Sequence, residues 1–173
     1  MEDDNSLEIL AQIQEILDSG GTIDAARIRE WMRSPSVTVG WAAVDLLLSF
    51  ADRVSGLPER ERNEFVLDHL SREIQAHHRD SRLPGPYVTG HSLRAWFERL
   101  WSTAIRDEDL LTELRQRLAD LSVTGCAQTR DVVITAVLEH LFQRADIAAY
   151  FSVWRDDPKL APVYQEAMRL AQS

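Results

Sequence analysis

Residues 131–143 read DVVITAVLEHLFQ, and apolar side chains cover nearly every face of the helix that this stretch predicts. Residues 38–54, TVGWAAVDLLLSFADRV, have the same character. Helices that are apolar around most of their circumference are normally covered on several sides by other elements. The two stretches therefore predict two central helices, each flanked by shorter amphipathic ones.

The rest of the chain repeats its apolar residues every three or four positions, which is the period of helices and not of strands. Capping residues, glycines and prolines divide it into about nine helices, and we expect no strand. Gly20 and Gly21 are expected to end the first helix, and Ser92 and Asp107 are each expected to cap the start of a later one. The predicted fold class is all-α. Two arrangements remain open, an irregular helical bundle and a short α-solenoid-like (HEAT-like) stack, because no clean repeat of ~34 to 47 residues is present.

One domain over residues 1–173 is the expected organisation, since a chain of 173 residues is long enough to build its own core. The segment 80–90 contains the run PGPY at 84–87 and is the longest predicted loop. A subdivision of the domain, if there is one, is expected there.

The net charge of −9 excludes two classes of partner. DNA and RNA phosphates repel such a chain, and so does an anionic membrane surface, so we expect neither nucleic acid nor membrane as a partner. An acidic balance instead favours a basic protein partner. We find no motif for a cofactor.

Cysteine usage and hydropathy point to the cytoplasm. The single Cys126 forms no intrachain disulfide, and the N-terminus lacks the basic start and apolar run of a signal peptide. The most apolar stretch, residues 37–51, is interrupted by Asp45 and is shorter than the ~20 residues of a membrane-spanning helix.

The first predicted helix is amphipathic. Its apolar stripe is expected to consist of Leu7, Leu10, Ile13 and Leu17, and its carboxylates fall on another face. The first 26 residues carry seven carboxylates and no Lys or Arg. The acidic face is therefore free for a partner, unless Arg27, Arg29 and Arg33 of the next helix cover it.

These features favour a non-enzymatic cytoplasmic protein-binding module with an acidic surface. Its best-fitting form is an inhibitor of the immunity or antitoxin kind, which neutralises a basic toxin or nuclease. The residues predicted to bind the partner are Glu8, Glu15 and Asp18, extended by Asp45 and Asp52. Asp45 aligns with Ser49 and Asp52 at helical spacing, which predicts a thin exposed strip; a buried Asp–Arg contact is the alternative.

His69, Glu73 and His77 follow one another at four-residue intervals and form one helical stripe. We interpret the stripe as a solvated polar face. The alternative is a metal-dependent enzyme that uses these three residues as metal ligands, although the ends of the stripe lie ~12 Å apart and cannot share one ion. A third hypothesis, a helical regulatory domain that binds a small ligand, requires a sizeable apolar pocket.

Glu139 and His140 interrupt the apolar stretch 131–143. Glu139 aligns with Asp131 and Thr135 on a narrow solvent stripe of a regular α-helix. His140 falls on the side nearer the core, where a hydrogen-bonded buried histidine is expected.

Overall fold

The computed structural model describes residues 4–76 and 83–173. It is 77% helical, with nine helices in the described residues, which confirms the all-α class and fits a helical bundle. The chain forms two compact units, Met1–His69 and Leu70–Ser173, and the boundary falls within a helix. None of the described helices is both long and apolar enough to cross a bilayer.

The first unit is built around one apolar helix. Its helices are α1 Asp4–Ser19, α2 Ala25–Met32, α3 Val37–Ser49 and the greater part of α4 Glu59–Gln75. Helices α1 and α2 both pack against α3, which confirms the central position predicted for this apolar stretch. Its buried side chains include Val39, Ala43, Val44, Leu46 and Leu47.

The expectation of no strand is wrong at one place. Two-residue strands, β1 Ile23–Asp24 and β2 Val54–Ser55, pair in parallel with Ile23 opposite Val54. Helix α3 accordingly ends at Ser49, five residues earlier than the apolar pattern predicts. Phe50 leaves the helical region of the backbone (φ −138°, ψ 43°), and a 3₁₀ turn over Ala51–Arg53 leads into β2.

The buried stripe of α1 is rotated relative to the prediction. Ser6, Ile9 and Ile13 are buried, whereas Leu7 keeps 53% of its surface exposed. Ile9 and Ile13 are one helical turn apart, and the small Ser6 completes their row. Leu7 is therefore left on the outer face, which also carries Glu8 and Glu15.

The second unit is built around α7. Its helices are α5 Pro86–Trp101, α6 Glu108–Thr124, α7, α8 Ala145–Tyr150 and α9 Ala161–Ala171. Three consecutive segments make up α7: an α-helical Ala127–Val132, a π-helical Val133–Leu138 and an α-helical Glu139–Leu141. Helices α5, α6 and α9 pack against α7, which confirms the second predicted central helix.

Helix α5 begins six residues before the predicted cap at Ser92. Pro86 occupies the first turn and Gly85 precedes it in an extended conformation. Proline has no N–H, but in the first turn of a helix this group would have no intrahelical acceptor, so nothing is lost there. The fixed φ of proline is also that of a helix. Residues 86–90 are therefore helical, and the predicted loop 80–90 is wrong in this part; residues 77–82 lie outside the described chain.

Candidate functional site

The five carboxylates predicted to bind a partner are all exposed: Glu8, Glu15, Asp18, Asp45 and Asp52. Among the described residues, no ion pair joins any of them to a basic side chain. Two of them accept hydrogen bonds only from neutral amides on their own helix. Gln12 Nε2 donates to Glu8 Oε1 (3.3 Å), and Gln14 Nε2 donates to Asp18 Oδ1 (2.8 Å).

The negative charge is concentrated in the first unit. Met1–His69 contains fourteen carboxylates and six arginines, a net charge of −8. Leu70–Ser173 contains fourteen carboxylates and thirteen basic side chains, a net charge of −1. The two units have equal numbers of acids, so the asymmetry arises from the scarcity of bases in the first unit.

Among the described residues, no ion pair joins Arg27, Arg29 or Arg33 to a carboxylate of α1. Arg27 pairs with Glu30 of its own helix at 3.1 Å. Arg29 holds Glu61 of α4 through two hydrogen bonds, Nε to Oε1 (2.6 Å) and Nη2 to Oε2 (2.7 Å). The hydrogen bonds from Arg29 lower the pKa of Glu61, and the charge of Arg33 lowers it further. All three arginines therefore act within α2 or on α4.

Arg53 fixes the C-terminal end of α1. Its Nη1 donates to the carbonyl oxygens of Ile16 (3.1 Å) and Leu17 (2.9 Å), and its guanidinium lies 4.6 Å from the centre of the Phe50 ring. The final carbonyls of a helix have no intrahelical donor and carry partial negative charge, so a cation is favourable there. The contact brings the segment containing Asp52 next to the helix end that carries Asp18.

The strip predicted at Asp45, Ser49 and Asp52, which runs from α3 into the following 3₁₀ turn, is exposed. Asp45, Ser49 and Asp52 are all exposed, and Ser49 Oγ donates to Asp45 Oδ1 at 3.5 Å. Asp45 therefore avoids the several kcal/mol that burial of an unpaired carboxylate costs. The alternative of a buried Asp–Arg contact is wrong.

The stripe on α4 is not solvated, which corrects that interpretation. His69 is 2% exposed and Glu73 is 4% exposed. The His69 ring meets the Trp41 ring edge to face (5.0 Å between centres), and Gly40 leaves room for the imidazole because a Cβ there would lie 2.8 Å from His69 Cε1. His77 lies outside the described residues. Residues 4–76 and 83–173 contain no cluster of three or more His, Cys, Asp or Glu able to hold a metal ion.

A cleft of about 430 Å³ opens in the second unit beside α8 and α9. Its apolar lining includes Phe142, Ala148 and Met168. Among the described residues that line it, Arg155 is the one cation and none is a carboxylate. The Tyr164 hydroxyl donates to the Ala148 carbonyl (3.3 Å), so these two polar groups of the cleft wall already form a hydrogen bond with each other. The volume lies in the usual range of small-molecule sites.

Two polar pairs join α5 to α7. The Tyr87 hydroxyl donates to Asp131 Oδ2, and this bond raises the pKa of Tyr87. One turn further along α5, the ring of His91 lies 5.4 Å from the ring of His140, with a tilt of 49° between their planes. His140 is half-buried at this surface and is not the core histidine that the sequence predicts.

The π-helical segment explains the position of His140. Asp131 and His140 are nine residues apart, roughly two and a half turns of a regular α-helix, which would place them on opposite faces. Hydrogen bonding from i to i+5 puts more residues into each turn, so the segment Val133–Leu138 reduces that angle. Both side chains then meet α5. The sequence of this segment, VITAVL, gives no signal for a π-helix, so the helical pattern does not predict that His140 lies near His91.

Comparison with protein families, curated proteins and solved structures finds no match to this chain.

Proposed function

We propose that the protein is a non-enzymatic binding module whose acidic first unit docks on a basic protein. The observation that carries the proposal is the net charge of −8 on Met1–His69, together with five exposed carboxylates that no basic side chain neutralises among the described residues. Such a charge concentration accelerates encounter with a cationic partner and excludes acidic ones.

The outer face of α1 has the composition of a contact surface. Leu7 is exposed, with the carboxylate of Glu8 beside it and Ala11, also exposed, one turn away. An apolar side chain supplies desolvated contact area at the centre of an interface, whereas surrounding carboxylates orient the partner and set the association rate. The face therefore combines an apolar anchor with an acidic rim.

An inhibitor of the immunity or antitoxin kind fits these features best. Toxins and nucleases that act on nucleic acids carry basic surfaces, because they must neutralise phosphates. An acidic module that occupies such a surface competes directly with the substrate. In this proposal Glu8, Glu15 and Asp18 contact Arg or Lys of the partner, and Asp45 and Asp52 extend the contact.

Affinity capture from a lysate of the native cells tests the proposal with two charge-matched variants. The test variant reverses Glu8, Glu15 and Asp18 to Lys. The control variant reverses Glu113, Asp120 and Asp156, which are exposed in the second unit. Each set of reversals changes the net charge from −9 to −3.

The expected result is one basic protein that the wild-type and control chains retain at low salt and that the test variant loses. High salt should release this protein from the wild-type chain, because exposed charge pairs are screened. Equal retention by both variants, or capture of no basic protein, contradicts the proposal.

The cleft beside α8 and α9 supports a second candidate function, the binding of a small regulatory ligand. The part of its lining that the structure describes contains one arginine and no carboxylate, although the chain has 28 carboxylates, so an apolar monoanion is the matching ligand. Anilinonaphthalene sulfonate is a suitable fluorescent probe. The Arg169→Gln variant is the control. This function is favoured if one probe molecule binds saturably and its affinity falls in Arg155→Gln but not in Arg169→Gln. Equal affinity of the two variants for the probe contradicts it.

The metal-dependent enzyme receives less support. His69 is packed against Trp41 and Gly40, and Glu73 is nearly inaccessible, so substrate and water have little access to these two side chains. Metal analysis of tag-free protein and of its His77→Ala variant tests this alternative directly. Stoichiometric metal that disappears in the variant would restore it.

A further inference from the structure

We propose that His91 and His140 form a two-imidazole site for a zinc-class transition metal ion that links α5 to α7. The site belongs to the second unit and is independent of the function proposed above. It consists of one exposed and one half-buried histidine on two packed helices.

The separation of the rings matches a shared ion. Two imidazoles bound to one tetrahedral Zn²⁺ through nitrogens at about 2.0–2.1 Å place their ring centres ~5 Å apart. The rings of His91 and His140 are 5.4 Å apart and are tilted by 49°, so they are not stacked face to face.

The surrounding backbone is arranged for this approach. Gly90 precedes His91, and a Cβ at this position would lie 2.8 Å from Ala136 Cβ and 3.1 Å from Val132 Cγ1. Glycine therefore allows α5 to lie directly against α7. On the other helix, the π-helical segment turns His140 toward α5, and π-helical segments occur frequently at functional sites.

The chemistry of the donors selects the metal. Imidazole binds Zn²⁺, Cu²⁺ and Ni²⁺ well and Mg²⁺ poorly. The described residues contain no third His, Cys, Asp or Glu placed to complete a metal cluster with these two histidines. The protein therefore supplies two ligands, and water or a further ligand fills the remaining positions of the ion, as in sites that stay open to exogenous groups.

Calorimetric titration of the tag-free full chain with ZnCl₂ tests the site. The parent protein for the test carries His77→Ala and His78→Ala. These replacements remove the two consecutive histidines of the sequence, which could bind Zn²⁺ themselves. His91→Ala and His140→Ala are then introduced separately into this parent. His91 is exposed, so its replacement is expected to leave folding intact, which circular dichroism checks.

The expected result is binding of one Zn²⁺ by the parent and an affinity at least tenfold weaker in each single variant. Zn²⁺ should raise the melting temperature of the parent and not that of the His91→Ala variant, because an ion held by both helices stabilises the folded state. MgCl₂ should produce neither effect. Failure of the parent to bind Zn²⁺, or unchanged affinity in the His91→Ala variant, overturns the proposal.

Discussion

Arg53 is expected to hold α1 and its acidic face in place. In Arg53→Ala the carbonyls of Ile16 and Leu17 lose a charged donor, and Phe50 loses the cation over its ring. A hydrogen bond to a charged group contributes about 1.5–3 kcal/mol. The two bonds share one nitrogen, so they are counted as one, and the cation–π contact adds about 0.5–1 kcal/mol. The expected loss of unfolding free energy is about 2–4 kcal/mol.

Urea unfolding combined with amide hydrogen exchange measures this effect. The amides of α1 should exchange faster in Arg53→Ala than in the wild type, because the helix end is no longer held. Arg60→Ala is the matched control, since Arg60 forms only an exposed pair with Glu64 and such pairs contribute little. A change below about 0.5 kcal/mol in Arg53→Ala, or unaltered exchange in α1, refutes the reasoning.

The further predictions concern hydrogen bonds made by two carboxylates of the second unit, Asp146 and Asp131. Asp146→Ala should destabilise by about 1–3 kcal/mol, because the buried Trp101 Nε1–H loses its acceptor at 2.7 Å, whereas Asp146→Asn retains an acceptor and should cost less in urea unfolding. Hydrogen bonds from Arg144 and then Trp101 lower the pKa of Asp146 to about 2, below its ordinary value of 3.8. The contribution of ionised Asp146 to the free energy of unfolding is therefore fully present above pH 3.8 and is lost as the pH falls through about 2. Unfolding with the same pH dependence in the wild type and in Asp146→Asn contradicts this. The hydrogen bond to Asp131 is the main cause of the raised pKa of Tyr87, so this pKa should return toward 10 in Asp131→Asn. The contribution of the pair to the free energy of unfolding should disappear as the pH rises through the raised pKa. A spectrophotometric tyrosine titration that is unchanged in Asp131→Asn contradicts this prediction.

The central helices and some of the helix ends follow from the sequence because they depend on local patterns. Asp107 accepts from Leu110 N (3.0 Å) at the predicted start of α6, and Gly20 ends α1 with a φ of +70°. These features require only the apolar period and a capping side chain. The exposure of the predicted acidic residues follows in the same way, since each lies off the buried stripe of its helix.

The remaining features depend on tertiary contacts. The early end of α3 reflects pairing of β2 with a strand thirty-one residues earlier, at Ile23, which no local pattern encodes. His69 is polar, but the space left by Gly40 and the ring of Trp41 buries it. The approach of His140 to His91 depends on a π-helical segment and on close helix packing at Gly90. A pattern of apolar residues with a period of 3.6 predicts neither feature.

The most direct test of the central claim is the association rate of the captured partner with three chains: wild type, the α1 variant (Glu8, Glu15 and Asp18 to Lys) and the control variant (Glu113, Asp120 and Asp156 to Lys). Stopped-flow measurements at increasing salt supply the rates. If the acidic first unit docks the partner, the α1 variant associates at least tenfold more slowly at low salt, the control variant changes much less, and the difference shrinks as salt rises. Equal slowing in both variants, which have the same net charge of −3, would show that total charge and not the acidic face of α1 governs binding.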